Sequence, residues 1–358
     1  MGFVDVVFSP MVAFASAAFL VTFAACSAST TTRETPTTAD APDASAASEA
    51  SRVPEAPPSP EDDPPSTAKI ELGRSLFWDP ILSGDRDVAC ATCHDPRRGW
   101  SDGLATSVGT GGAATARNAL TILDTAWNGR TVARPRPDPK EAPMFWDNRV
   151  KSLEEQAKGP ILAENEMRGA SFTEEAIFPE LVTRLEAIPG YVTRFEAAFG
   201  AGGIDETRIV QAIATFERTL VTTSSFDRGT LSAQALRGQA AFRASGCAGC
   251  HSGASFSDYA LHRFERGGEA FRTPSLRNVT KTAPYMHDGR AETLEDVFDV
   301  YRRVDREADA RLRAVRVPDA VGRADIAAFL RGLSDGEHES VVPDAVPSGL
   351  VPGGAPRR

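Results

Sequence analysis

Cys90-Ala91-Thr92-Cys93-His94 and Cys247-Ala248-Gly249-Cys250-His251 are the two stretches that decide how this 358-residue chain is read. Each holds two thiols three positions apart, followed at once by an imidazole. On one helical turn, such thiols reach the two vinyl groups along an edge of a haem, and the next residue swings its imidazole beneath the iron. A redox dithiol also uses Cys-x-x-Cys, but it gives no reason for a histidine after both pairs. A zinc site would draw the four thiolates together and leave both histidines surplus. Two covalently attached haem c groups are therefore expected. Cys90, Cys93 and His94 would hold the first, and Cys247, Cys250 and His251 the second, with His94 and His251 as iron ligands.

The flanking sequence repeats as well. Gly73-Arg74-Ser75-Leu76-Phe77 precedes the first motif and Gly238-Gln239-Ala240-Ala241-Phe242 the second. Each is similar to the N-terminal helix of a cytochrome c domain, whose glycine lets another helix cross closely. Asp325 to Leu333 supplies a matching C-terminal helix, with Ile326, Phe329, Leu330 and Leu333 in one apolar stripe. Helices also fit Glu206 to Thr222, where Ile209, Ile213, Phe216 and Leu220 share a face, and Glu174 to Ala187. No alternating pattern argues for strands. The expected fold is mainly α, with two cytochrome c-like domains over residues 67–225 and 226–337, each with one covalently attached haem. The polar run Thr222 to Thr230 is the expected junction.

The ends read differently. Residues 10–25 are apolar and small, too short to span a membrane and placed where a secretory signal belongs. Ala24 and Ala25 ahead of Cys26 fit cleavage and lipidation there, while Phe23 and the lack of a preceding Lys or Arg count against a lipobox. Export to the periplasm is the expectation, with residues 1–26 as its signal, and a lipid anchor at Cys26 stays open. Residues 27–66 have little to bury and read as a disordered tether, and residues 338–358 as a frayed tail. Of the net charge of −10, residues 1–66 carry −7. The acidity therefore belongs mostly to the tether, and no basic stripe argues for nucleic acid.

From Lys69 to Leu333 the chain resembles the bacterial di-haem cytochrome c peroxidase family, which includes MauG. The resemblance rests on both haem motifs and on several further stretches. They are Leu72-Gly73-Arg74-Ser75-Leu76-Phe77, Arg117-Asn118-Ala119, Phe145-Trp146-Asp147-Asn148-Arg149, Glu155-Gln156-Ala157-Lys158-Gly159-Pro160 and Thr273-Pro274-Ser275-Leu276-Arg277-Asn278. Ala283-Pro284-Tyr285-Met286-His287-Asp288-Gly289 completes the set. The resemblance implies a peroxidase whose first haem meets hydrogen peroxide and whose second collects electrons from a small cytochrome c or cupredoxin. It also implies, as an alternative, a MauG-like enzyme that oxidises a tryptophan of a partner protein. A non-catalytic electron carrier is the third reading.

Site residues follow from the same resemblance. Glu166 and Gln156 match the pair beside the first iron, and Gly159-Pro160 is expected to interrupt the helix of Gln156 so that Glu166 turns back toward it. Trp146 matches the tryptophan between the haems. Many members block the first iron with a histidine at the position held here by Thr110, which is no haem ligand. Tyr301 stands where the family's second haem takes its sixth ligand, often methionine. Thr293 and Asp296 make a plausible cap for its helix, while Met286, His262 and His287 are other candidates. A calcium ion is implied at Asn118, Thr282 and Pro284, the last two through backbone carbonyls. Arg272 is expected to contact a cofactor.

Overall fold

In the computed structural model, which describes residues 56–334 and 342–354, eight helices carry the architecture. They are α1 (Thr67–Trp78), α2 (Leu153–Leu162), α3 (Glu174–Glu186), α4 (Pro189–Phe199), α5 (Glu206–Glu217), α6 (Ala233–Ala244), α7 (Leu294–Arg303) and α8 (Ala320–Arg331). The fold is mainly α, as the stripes indicate. Two crossings organise it, α1 with α5 and α6 with α8. At the first, a Cβ on Gly73 would stand 1.9 Å from the Ala212 carbonyl oxygen; at the second, one on Gly238 would stand 1.9 Å from that of Asp325. Only a residue without a side chain lets these backbones meet so closely.

Each crossing has its own apolar cluster. Leu72, Leu76 and Phe77 pack with Ile209, Ile213 and Phe216 around the first, and Phe242 with Ile326, Phe329, Leu330 and Leu333 around the second. Burying each such side chain contributes roughly 1.5–3 kcal/mol. The four crossing helices all start on a side-chain cap: Ser66, Asp205, Ser232 and Asp319 accept from the backbone N–H three residues on. That satisfies a donor the helix itself leaves free. Leu220, expected in α5, lies beyond its end at Glu217 yet stays buried.

The described residues fall in one compact unit. The run from Thr222 to Thr230 is no loose linker. Thr222 donates through N–H and Oγ1 to the two Asp124 oxygens, at 2.8 and 2.6 Å, and Asn278 Nδ2 donates to Thr222 Oγ1 at 3.0 Å. Arg277 grips Asp227 with two bonds of 2.8 and 2.7 Å. Within the expected junction, Thr222, Ser224 and Asp227 thus join Asp124, Arg277 and Asn278 in a hydrogen-bonded network.

Other expectations change too. Two three-residue strands, β1 (Leu261–Arg263) and β2 (Ala270–Arg272), pair antiparallel, with His262 opposite Phe271. They are too short to show alternation. The end of the expected tether is ordered against the fold, with Asp63 buried beside Lys69 and Pro58 and Pro60 covered. The segment 342–354, expected to fray, returns to α1. Val346 joins the first cluster, Ser348 Oγ donates to Asp79 at 2.6 Å, and Thr92 Oγ1, inside the first Cys-x-x-Cys, donates to the Gly353 carbonyl at 2.7 Å. Its few apolar residues find a prepared surface, which composition does not reveal. The signal, Cys26 and the rest of the tether lie outside the described residues.

Gly238→Ala separates propensity from packing. Helix propensity alone would raise stability by about 1 kcal/mol, whereas the methyl forced onto the Asp325 carbonyl should lower it by about 1–3 kcal/mol. Equilibrium denaturation of the two proteins reads the sign directly.

Candidate active site

The first motif forms one helical turn, Cys90–Cys93, and the second a tight turn, Cys247–Gly249. Cys90, Cys93 and His94 line a cavity of about 420 Å³; Cys247, Cys250 and His251 line another of about 210 Å³. Both imidazoles are oriented alike. His94 Nδ1 lies 3.1 Å from the Trp100 carbonyl oxygen and His251 Nδ1 3.1 Å from that of Phe256. An Nδ1–H donated to a carbonyl leaves Nε2 as the free donor for a metal. Burial lowers both imidazole pKa values, which keeps the rings neutral and fit to ligate.

The thiols bear on the competing chemistries. Burial pushes the Cys90 thiol up strongly and the Cys247 thiol to about 11, the reverse of an activated redox dithiol. The pairs line different cavities, so the four sulfurs do not gather as a four-thiolate zinc site would require. Between the cavities stands Arg272, buried and lining both. Its Nε donates to the Phe145 carbonyl at 2.9 Å and Nη1 to that of Pro143 at 3.1 Å. No carboxylate among the described residues hydrogen-bonds to it, Asp147 acting only through its charge, and desolvation brings its pKa down to about 10. A buried cation without a bound anion suits a cofactor that carries carboxylates.

Gln156 and Glu166 line the first cavity together with Cys90, Cys93 and His94. The route between them differs from the expected one. Helix α2 runs through Gly159 and Pro160 to Leu162, and the chain turns only at Ala163. Pro160 has no N–H, so the Gln156 carbonyl four residues earlier loses its helical donor without ending the helix. Glu164–Arg168 then makes a π-helical turn, a geometry that recurs at functional sites. It is fastened by Gly84 N–H to the Met167 carbonyl at 2.7 Å and by Arg168 Nε to that of Leu162 at 2.8 Å. Glu166, half-buried on this turn, has its pKa raised by desolvation against a lowering by Arg149. Thr110 is tied elsewhere: its Oγ1 donates to Asp87 Oδ1 at 2.6 Å, and Gly111 N–H to Asp87 Oδ2 at 3.0 Å.

Tyr301, Met286, His262 and His287 all line the second cavity. Both ring nitrogens of His262 are occupied, Nδ1 at 2.7 Å from Asp309 and Nε2 at 3.0 Å from Asp258, and its pKa rises to about 10, mainly through Asp258. Both atoms that it could offer to an iron are thus engaged by carboxylates. His287 stacks on Phe271 at 3.7 Å. Tyr301 comes from α7, whose Thr293–Asp296 capping box is formed as the sequence indicates. Trp146 and Asn118 line both cavities. Trp146 Nε1 donates to the Asn118 carbonyl at 2.9 Å, and its ring meets Phe271 and His287 edge-on. Asn118 Nδ2 donates to Leu104 at 2.8 Å, while Thr282 and Pro284 line the second cavity only.

One group on the first cavity wall escaped sequence reasoning. Glu217 is only 4% exposed, and its Oε2 is buried with no hydrogen-bond partner. Desolvation pushes its pKa to about 8. The signal was available, since Glu217 follows Ile213 by four residues on the buried face of α5.

The description of the family "Di-haem cytochrome c peroxidase" matches residues 67–235. The methylamine utilization protein MauG of Methylorubrum extorquens is 38% identical over 266 residues, covering 67% of this chain and 70% of that protein. Cytochrome c551 peroxidase of Pseudomonas aeruginosa is 34% identical over 305 residues, covering 76% and 80%. A crystal structure of a MauG-like protein associated with microbial copper homeostasis superimposes with a TM-score of 0.68 at 28% identity, over 80% of this chain and 95% of that one. The chain thus belongs to the di-haem cytochrome c peroxidase family, an oxidoreductase family built on two haem groups.

Proposed function

We propose that the chain reduces hydrogen peroxide to water with electrons from a small redox protein. The observation that carries this is the convergence of Gln156 and Glu166 on the cavity that also holds Cys90, Cys93 and His94. Thioether links at Cys90, Cys93, Cys247 and Cys250 would hold one haem in each of two domains, with His94 and His251 as iron ligands and Arg272 against the haem carboxylates. Export, from the apolar run 10–25, fits this chemistry. Haem in the first cavity supplies an iron that accepts peroxide and stores oxidising equivalents.

The chain's own groups handle the protons. A Glu166 carboxylate oxygen takes a proton from the bound peroxide and returns it to the departing oxygen. Gln156 Nε2 donates to that departing oxygen and polarises the O–O bond. Two electrons and two protons per peroxide then give two waters. Desolvation helps because it brings the Glu166 pKa toward the working range, while Arg149 keeps the carboxylate available. Trp146, on the wall of both cavities, is the route for electrons between them. The Asn118 side-chain oxygen, with the carbonyls of Thr282 and Pro284, forms an oxygen set suited to calcium.

MauG-like oxidation of a partner protein is the second reading, favoured by two observations. Thr110 is held on Asp87, and Tyr301 lines the second cavity. Bound to iron as phenolate, Tyr301 would be a hard donor that favours the ferric state and would lower the potential of a haem held at His251.

Glu166→Gln should slow the peroxide response of the haem absorption band about 100–10,000-fold. It should not lower stability at neutral pH, since the penalty removed is that of a half-buried carboxylate; an unchanged response would rule out this assignment of Glu166. Electron paramagnetic resonance of the fully oxidised protein should show a high-spin signal at the first haem, and two purely low-spin haems would contradict the reading of Thr110. Mixing with peroxide and a reduced donor separates the two functions. Fast donor oxidation supports the peroxidase; a long-lived oxidised state with sluggish donor turnover supports the protein-modifying enzyme.

A further inference from the structure

Charge is divided unevenly along the folded chain. Residues 67–225 carry 18 Lys and Arg against 22 Asp and Glu, whereas residues 226–334 carry 17 against 14, and all but one of these 17 are arginine. Part of the excess is gathered at one place, the turn of the second motif. Gly249, between Cys247 and Cys250, is exposed, and so are Arg243, Arg311, Arg313 and Arg316.

The packing explains why these arginines surround that turn. The short helix Ala310–Ala314 and the residues after it lie along Ser245 to Cys250. Arg311 Nη1 donates to the Gly249 carbonyl at 2.7 Å, and Arg316 N–H to that of Ser245 at 2.9 Å. A Cβ on Gly246 would come 2.7 Å from the Ala314 carbonyl oxygen, so the two segments are in contact. Leu312 and Val315 turn inward and line the second cavity, Arg311 and Arg313 stand exposed beside Leu312, and Arg316, exposed as well, also lines that cavity. Arg243, exposed near the end of α6, adjoins the same turn, its carbonyl accepting from the Gly246 N–H at 3.0 Å.

Carboxylates cancel only part of this charge. Arg313 pairs with exposed Glu307 at 2.8 Å, and Arg311 contacts Asp258, which His262 also engages. Arg243 and Arg316 have no carboxylate partner among the described residues; the Arg316 guanidinium goes to the carbonyls of Arg313 and Val315. What remains is a positive collar around the point where the second cofactor's attachment reaches the surface.

We infer that this collar is the docking surface for a small redox protein with an acidic face, which passes its electron to the second haem past Gly249. The inference rests on the proposed role of the second cavity as the electron entry. Each docking oxidises the donor by one electron and reduces one ferric haem to ferrous. A partner seated on Gly249 stands one residue from Cys250 and two from Cys247. The collar would attract an acidic front and repel one built of lysines, and such complementarity governs encounter rate and choice of partner.

The experiment uses the holoprotein and two oxidised probes, a cupredoxin with an acidic face and a cytochrome c with a lysine-rich face. Binding is measured without peroxide. The acidic probe should bind at least ten times more tightly at low ionic strength, and the preference should vanish as salt shortens the screening length. Arg243→Glu combined with Arg313→Glu should weaken the acidic probe at least tenfold and tighten the basic one, with the circular dichroism melting curve unchanged. In the absence of donor, the variant's peroxide response should equal that of the wild type. Equal affinities for both probes, or a variant that alters neither, would overturn the docking assignment. A wild-type protein inert to peroxide would instead sink the functional reading, while leaving any measured charge preference intact.

Discussion

A carbonyl oxygen stands 1.9 Å from where a side chain would begin at Gly73, and another at the same distance from Gly238. The rest of the structure depends on these two contacts. Each brings a helix pair together so closely that the apolar residues on either side close into one cluster, and a Cys-x-x-Cys turn follows the first helix of each pair, beginning twelve residues after α1 and three after α6. The turn cannot wander, because its helix is already fixed. His94 and His251 inherit that fixity and gain a second restraint through Nδ1, each on a carbonyl a few residues on. Orientation of a metal ligand by its other nitrogen is the cheapest way to hold one tautomer in a buried site.

The distal side of the first cavity is held by a different device. Gln156 sits in a regular helix, whereas Glu166 sits on a π-helical turn that needs fastening from outside. The fastening comes from Gly84 and from Arg168, and Gly109 packs against the Asn165 carbonyl, so a side chain there would break the contact. The loop of Thr110 is therefore drawn in against the turn of Glu166 at its start and bound to Asp87 at its tip. Thr110 itself is thus already engaged by a carboxylate.

Much of this was legible in the sequence because it depends on local chemistry. The cysteine pairs with their histidines, the two close-crossing glycines and the Thr293–Asp296 cap are each written within a few residues, and the structure keeps them. What was not legible depends on long-range contacts. Thr222 and Ser224 read as part of a polar junction, and nothing nearby announces that their hydroxyls bond to Asp124 and Asp227 in the interior. The segment 342–354 reads as a tail, yet Ser348 and Gly353 find Asp79 and Thr92 more than 250 positions away. Pro160 reads as a helix end, but near the last turn it removes one hydrogen bond and nothing more. In each case a generic local rule was overruled by one specific partner.

Of the three carboxyls that line the first cavity, Asp147 is paired with Arg149, while Glu166 and Glu217 have different surroundings. Arg149 lies near enough to Glu166 to offset part of its desolvation. Glu217 has Arg218 as a chain neighbour, but that guanidinium is bound through both Nη atoms to Glu154, at 2.7 and 3.1 Å. Glu154 then adds a repulsive charge of its own, and the Glu217 pKa settles at about 8. At neutral pH Glu217 is therefore mostly protonated, so the cavity wall carries a carboxyl that holds its proton and another that has a cation to favour losing it. Paired groups whose environments push their pKa values apart take opposite roles in proton chemistry. The same contrast explains why a buried acid with no hydrogen-bond partner is tolerated here: neutral, it costs far less to bury than an ion would.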